Sequence, residues 1–114
     1  MLTSGDVVHL DLGAPDGREA GFHRPAVVVT AQQILEQGPS IVHVVPLSTT
    51  VRGYRSEVEL EPDALNGLEL RSVAQCQHIR AVSPQRLVAT LGSVGSVALA
   101  QIRETLAALL DIRA

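Results

Sequence analysis

The chain has few of the residues on which disulfides, aromatic platforms and membrane spans depend. Its 114 residues include one cysteine, one phenylalanine, one tyrosine and no tryptophan. The single cysteine excludes an internal disulfide and fits a reducing compartment. No apolar run approaches the length of a membrane span, and the first residues lack the basic segment of an export signal. We therefore expect a cytoplasmic protein in which Cys76 is a packing residue.

Lysine is also absent, and all nine basic residues are arginine. A formal net charge of −3 argues against a protein that coats nucleic acid with its whole surface. The charges are unevenly placed along the chain, however. Segments 17–24 and 50–55 are rich in arginine, whereas segment 57–69 carries only acidic charges. If the fold keeps these segments apart, the protein has one basic face and one acidic face.

The familiar catalytic signatures are missing. There is no glycine-rich phosphate loop, no CxxC, no HExxH and no nucleophile elbow. The histidines lack close metal-ligand spacing, so neither a zinc site nor a cofactor is expected. His43 lies inside the apolar run IVHVVP, which favours a hydrogen-bonded histidine in the core.

Short apolar runs predict a mainly β fold of one domain, residues 1–114. Residues 7–12 alternate in polarity, as a half-buried strand does. Buried strands are predicted at 25–30 and 41–47, a strand with a wet face at 57–60, and further strands at 73–77 and 87–91. Segment 31–37 is predicted as a short helix or a loop, and Asn66-Gly67 indicates a turn.

The C-terminal segment has a helical pattern instead. Leu99, Ile102, Leu106 and Leu109 recur at helical spacing, which predicts an amphipathic helix over residues 97–110 with Ser96 as its N-cap. Several short strands followed by one terminal helix are typical of a small SH3-like barrel.

Polar side chains at the ends of the predicted strands are the best candidates for chemistry. Glu19 and Arg24 flank the start of the strand at 25–30, and Ser48, Thr49 and Thr50 follow the strand at 41–47. Functional residues are often carried at such positions on a rigid scaffold. By themselves these residues allow a second interpretation, in which Arg24 caps a sheet edge and the Ser-Thr-Thr segment is an ordinary turn.

Four blocks in order give the sequence a resemblance to a known family. They are Gly5-Asp6-Val7-Val8, the run from Gly17 through Arg24-Pro25 to Val29, Val45-Pro46-Leu47-Ser48-Thr49, and Gly53-Tyr54 leading into Glu57-Val58. A weaker match covers Ser72 to Arg80, Arg86-Leu87 and the final helix. With these blocks the chain resembles the MazF/PemK family of bacterial toxins, the mRNA interferases, over essentially its whole length.

The resemblance implies an SH3-like barrel of the MazF/PemK/CcdB type that forms a homodimer. It also implies metal-independent, sequence-selective cleavage of single-stranded RNA by 2′-hydroxyl attack, which leaves a 2′,3′-cyclic phosphate and a 5′-hydroxyl. A cognate, MazE-like antitoxin would block the RNA groove. Arg24 matches the family's catalytic arginine, Ser48 its catalytic threonine, and Glu19 an acidic residue of the same loop. The residues expected to bind RNA are Arg18, His23, Thr49, Arg52, Tyr54, Gln77 and His78.

The chain departs from the family pattern at Gln77-His78, where many members have an acid–amide pair. This departure leaves two candidates for the group that accepts the 2′ proton, Glu19 and His78, and we favour Glu19 because its loop position matches the family. Two other functions remain open. One is a non-catalytic barrel toxin that acts on a protein such as DNA gyrase, and the other is a binding module that has lost activity.

Overall fold

The computed structural model describes residues 1–11 and 23–113 of the protein. In this part the elements follow in the order β1 (Asp6–Asp11), β2 (His23–Val28), α1 (Gln32–Leu35), β3 (Val42–Ser48), β4 (Glu57–Leu60), β5 (Ser72–Gln75), a first 3₁₀ turn (Cys76–His78), β6 (Arg80–Val82), a second 3₁₀ turn (Pro84–Arg86), β7 (Leu87–Ser93) and α2 (Gly95–Leu109). The mainly β fold with a C-terminal helix is confirmed. Strand β6 was not predicted.

The strands form one antiparallel sheet with the order β4-β5-β3-β2-β1-β7, and β6 pairs with the other end of β3. Within the described residues, β4 and β7 are the two ends of this path and do not pair with each other. The turn that follows β4 bridges them, because the N–H of Ser93 donates to the carbonyl of Leu65 at 2.8 Å. A Cβ atom on Gly92 would overlap that carbonyl, so the close approach requires glycine.

The bridging turn is held by Asn66, whose side chain is buried. Its Oδ1 accepts hydrogen bonds from the backbone N–H groups of Asp63 (3.2 Å) and Leu68 (3.0 Å), and its Nδ2 donates to the carbonyl of Glu61 at 2.8 Å. The next residue, Gly67, has a φ of +68°. The turn predicted at Asn66-Gly67 is confirmed.

Apolar residues cover both faces of the central strands. The first core lies under α2 and contains Val7, Val27, Val45, Leu47, Ile102 and Leu106, among others. The second core lies on the opposite face and contains Val8, Leu10, Ala26, Val28, Leu35, Val42, Val44 and Val82. The prediction that β1 is half-buried is therefore wrong at its first part, because Val7 and Val8 are both fully buried.

The start of α2 differs from its prediction. The helix begins at Gly95, which has a φ of +83°, and the Oγ of Ser93 accepts the N–H of Gly95 at 3.2 Å. Ser96 is therefore not the N-cap. The chain turns earlier because the N–H of Val94 donates to the carbonyl of Gly5, which fixes the turn against the start of β1.

Two further predictions concern single side chains. Cys76 is fully buried in the first core, so its assignment as a packing residue is confirmed. His43 is exposed, and the prediction of a core histidine is wrong. It alternates with the buried Val42 and Val44, and lies on the face of Val45 but outside the first core. No helix among the described residues is long and apolar enough to cross a membrane.

Candidate active site

The register between β2 and β3 brings together the two residues on which the predicted chemistry depends. The last pair between these antiparallel strands is Ala26 with Pro46, and Arg24 and Ser48 each lie two residues beyond it at the same end of the ladder. Both side chains lie on the sheet face that carries the second core, because residues two apart on a strand share a face. The pair lies at the rim of that core, where β2 begins and β3 ends.

Arg24 is only partly exposed. Burial lowers the pKa of its guanidinium from the usual value, while an arginine still carries its charge at neutral pH. A partly desolvated cation attracts an anion more strongly than one in bulk water does. The strand therefore presents a partly buried positive charge suited to a phosphate oxygen.

Ser48 is the last residue of β3 and is half-buried. Its Oγ accepts the backbone N–H of Thr50 at 3.1 Å, which fixes the position of the hydroxyl oxygen. A hydroxyl that accepts one hydrogen bond still has its own proton to donate. Thr49, the neighbouring candidate for RNA contact, is exposed.

Residues 49–56, here called the basic loop, connect β3 to β4. Arg52, Tyr54 and Arg55 are exposed, and 55% of the Tyr54 surface is accessible. The backbone of this loop folds around the side chain of Glu57, whose Oε1 accepts the N–H groups of Arg52 (3.0 Å), Gly53 (2.9 Å) and Tyr54 (3.3 Å). The sequence predicts only that Glu57 lies on the solvent-exposed face of a strand.

The first 3₁₀ turn borders the end of the basic loop. The Oγ of Ser56 lies 2.8 Å from the Oε1 of Gln77 and donates to it, and the N–H of Cys76 donates to the carbonyl of Ser56 at 3.0 Å. The structure thus places Gln77 beside the loop that carries Arg52 and Tyr54. His78 follows in the same turn and is partly buried.

Gln75 is a polar residue near the site that sequence reasoning missed. It is 5% exposed and pairs across the sheet with Glu57. In the described part of the chain, no hydrogen-bond donor reaches its Oε1. Gln75 lies in a predicted strand whose other residues are mostly apolar, so the sequence does not distinguish it from a residue of the core.

Other predicted site residues lie elsewhere. His23 is exposed at the start of β2, where it pairs with Asp11, and its ring centroid lies 5.9 Å from that of His9. Strand alternation directs it away from the face of Arg24. The remaining two candidates, Arg18 and Glu19, lie outside the described residues.

The acidic segment is separated from the basic loop only in part. Arg71 lies 2.6 Å from Glu59 and 3.2 Å from Glu61, and its hydrogen bond and charge lower the pKa of the Glu59 carboxyl. Glu57, by contrast, is enclosed by the basic loop itself. The prediction of two distinct charged faces is therefore wrong for Glu57.

Together these features provide a half-buried cation, a fixed hydroxyl and an exposed basic loop around the same strand ends. A guanidinium and a hydroxyl that share a face can both contact the oxygens of one phosphate. In the ranges 1–11 and 23–113, no cluster of three or more histidine, cysteine, aspartate or glutamate residues could hold a metal ion.

Comparison with known proteins identifies the family. Residues 3–110 match the family described as the PemK-like, MazF-like toxin of type II toxin-antitoxin system. The chain is 32% identical over 117 residues to Endoribonuclease MazF9 of Mycobacterium tuberculosis, with 98% of each chain covered. The crystal structure of MazF from Deinococcus radiodurans is similar, with a TM-score of 0.78 and 27% identity over 95% of this chain and 94% of that one. A mycobacterial endoribonuclease in complex with its cognate antitoxin has the same fold, with a TM-score of 0.79 and 23% identity over 100% and 99% of the two chains. The chain therefore belongs to the PemK-like, MazF-like toxins of type II toxin–antitoxin systems.

Proposed function

We propose that the protein is an endoribonuclease that cleaves single-stranded RNA, with Arg24 and Ser48 as its catalytic residues. The observation that carries this proposal is the β2–β3 register, whose last pair has a half-buried arginine and a fixed serine hydroxyl two residues beyond it at the same end of the ladder. The relative named an endoribonuclease, which matches over nearly the whole chain, supports the same activity.

The proposed reaction is attack by the RNA 2′-oxygen on the adjacent phosphorus, which displaces the 5′-oxygen of the next nucleotide. The 2′-hydroxyl gives its proton to a base, the bond from phosphorus to the 5′-oxygen breaks, and the departing oxygen takes up a proton from water. The products are a 2′,3′-cyclic phosphate and a 5′-hydroxyl. Negative charge builds up on the phosphoryl oxygens in the transition state, and Arg24 and Ser48 stabilise it there. No metal ion or cofactor takes part in this scheme.

The proposed proton acceptor is Glu19, with His78 as the alternative. Histidine titrates closer to neutral pH than glutamate does, so the two assignments predict different pH profiles. If Glu19 is the base, the acidic limb of the rate profile lies well below neutrality and Glu19→Gln loses far more activity than His78→Ala. If His78 is the base, the acidic limb disappears in His78→Ala, and Glu19→Gln keeps most of the activity.

The basic loop is the proposed RNA contact surface. Arg52 supplies charge to the phosphate backbone, and the exposed ring of Tyr54 offers a stacking surface to a base. Thr49 is the first residue of this loop, Gln77 lies beside its last residue, and His78 follows Gln77 in the first 3₁₀ turn. Arg18 and His23 complete the proposed RNA-binding set.

We further propose that this single-domain toxin acts in the cytoplasm as a homodimer silenced by an antitoxin. Val88 and Leu91 on β7 are large apolar side chains exposed to solvent, and a second copy would cover such surface. A solved relative in complex with its cognate antitoxin supports a protein inhibitor. An acidic antitoxin segment would be complementary to the basic loop.

The rival function is that of a non-catalytic toxin directed at a protein target such as DNA gyrase. It makes no use of a cation and a hydroxyl at the same end of two paired strands. Purified protein incubated with single-stranded RNA in EDTA separates the two. We expect cleavage that spares duplex RNA and DNA and is lost in Ser48→Ala. The matched control, Ser96→Ala, changes an exposed helical serine and should leave the rate unaltered. Cleavage that appears only after magnesium is added would contradict the metal-free scheme.

A further inference from the structure

We infer that Glu57 is a positioning residue that holds the basic loop in the conformation that binds RNA. This inference rests on the proposed function and assigns a role to a side chain outside the catalytic pair. Glu57 lies at the start of β4, directly after the loop, and is half-buried. Its carboxylate is aimed back into the loop rather than out to solvent.

One carboxylate oxygen of Glu57 accepts hydrogen bonds from three consecutive backbone N–H groups. Oε1 of Glu57 accepts from Arg52, Gly53 and Tyr54 at 3.0, 2.9 and 3.3 Å. Successive amides that converge on one anion form a concave site, and hydrogen bonds to a charged acceptor are stronger than neutral ones. Gly53 has a φ of +75°, a conformation that glycine adopts without strain and that lets the amides converge.

The second carboxylate oxygen makes opening of the loop more costly. Oε2 of Glu57 is buried and has no hydrogen-bond donor in the part of the chain that the structure describes. The stabilisation of this carboxylate by hydrogen bonds therefore comes through Oε1, from the loop amides. If the loop moved away, a partly buried charge would lose its donors.

Both ends of the loop are fixed independently of Glu57. Thr50 donates its N–H to the Oγ of Ser48, and Ser56 is tied to Gln77 and Cys76 of the first 3₁₀ turn. The carboxylate of Glu57 thus controls the middle of the loop, where Arg52 and Tyr54 project. A loop already ordered before RNA arrives loses less conformational freedom on binding, so the residue should act on affinity. Arg24 and Ser48 stand on strands and should keep their geometry.

The test compares Glu57→Ala and Glu57→Gln with Glu59→Ala. Glu59 lies on the same strand and face but is exposed and pairs with Arg71, so it is a matched control. For Glu57→Ala we expect KM for cleavage, and Kd for an RNA blocked by 2′-deoxy substitution at the cut site, to rise about tenfold, with kcat unchanged. A tenfold change corresponds to about 1.4 kcal/mol. Glu57→Gln keeps an oxygen acceptor and should recover part of the affinity.

A second readout follows the loop directly. Hydrogen exchange of the amides of Arg52, Gly53 and Tyr54 should accelerate in Glu57→Ala and stay unchanged in Glu59→Ala. Unchanged affinity in Glu57→Ala, or a loss confined to kcat, would overturn the positioning role. A wild-type protein that neither binds nor cuts RNA overturns the proposed function and this role together. An active wild type whose Glu57 variants match it overturns the role of Glu57 alone.

Discussion

Replacing Arg24 with alanine removes the cation that lies, with Ser48, just beyond the last pair of β2 and β3. Two unit charges about 4 Å apart interact by about 1 kcal/mol in water and by about 4 kcal/mol at the effective dielectric of a protein surface site. Arg24 is half-buried, so its contact with a phosphoryl oxygen lies between these limits. The expected loss in cleavage rate is therefore between about fivefold and about a thousandfold.

Single-turnover cleavage of a short end-labelled RNA measures this loss without interference from product release. Arg24→Lys keeps the charge but loses the planar fork, so we expect it to fall between wild type and Arg24→Ala. Arg103→Ala is the matched control, because Arg103 is exposed on α2, where its guanidinium bonds to the Oγ of Ser4. Circular dichroism and melting should show that all three variants keep the fold.

The double variant with Ser48→Ala gives the sharper test. If both side chains stabilise the same phosphoryl oxygens, their effects should not add, since neighbouring groups that share a ligand are coupled. An Arg24→Ala rate within threefold of wild type would refute the proposed role of the guanidinium. Effects that add fully would refute the idea that the two residues act on one phosphate.

Three further predictions concern stability, the thiol and the antitoxin. Gly92→Ala forces a Cβ into the carbonyl of Leu65 and should destabilise the fold by about 1–3 kcal/mol in urea unfolding. In Gly38→Ala the new Cβ meets no neighbouring atom, so only the strain of a φ of +65° remains and the loss of stability should be smaller. Burial raises the pKa of the Cys76 thiol to about 11, so thiol reagents at pH 8 should label it only after unfolding. The folded state binds the proton of the Cys76 thiol more tightly than the unfolded state does. The free energy of unfolding should therefore fall by up to about 2–3 kcal/mol as pH rises from about 9 to about 11. A melting temperature that stays constant over this range would contradict the burial of the thiol. Charge reversal at Arg52 and Arg55 should lower the affinity for the antitoxin and make that affinity less dependent on salt. If binding titrations at several salt concentrations were unchanged, the basic loop would be excluded as the antitoxin contact.

Much of the fold was predictable because local pattern and final structure agree. Apolar runs and alternation located β1 to β5, β7 and α2, and Asn66-Gly67 marked the turn. The short strand β6 was missed because Arg80–Val82 is stabilised by pairing with β3, a contact distant in sequence. The N-cap of α2 was misplaced for the same reason, since the contact of Val94 with Gly5 ends the preceding strand.

The sequence identified residues of the candidate site but not their arrangement in space. Arg24 and Ser48 could be named from the resemblance, but their placement at the same end of the paired strands depends on the register between β2 and β3. Glu57 and Glu59 occupy equivalent positions in the alternating pattern of the strand. In the structure Glu57 accepts hydrogen bonds from the backbone of the basic loop, whereas Glu59 pairs with Arg71. A side chain that binds backbone amides leaves no mark in the pattern of residue types.

The burial of the central strands on both faces has a consequence for how the toxin can be controlled. Arg24 and Ser48 are carried by strands that have apolar cores above and below. Moving β2 away from β3 would break their pairing over Ala26–Val28 and Val44–Pro46, an opening whose free energy approaches that of global unfolding. A small effector bound at a distant surface cannot supply that energy by distorting the site. Inhibition of this protein therefore has to work by occlusion: a partner must lie over the strand ends and dissociate, or be degraded, before RNA can reach them.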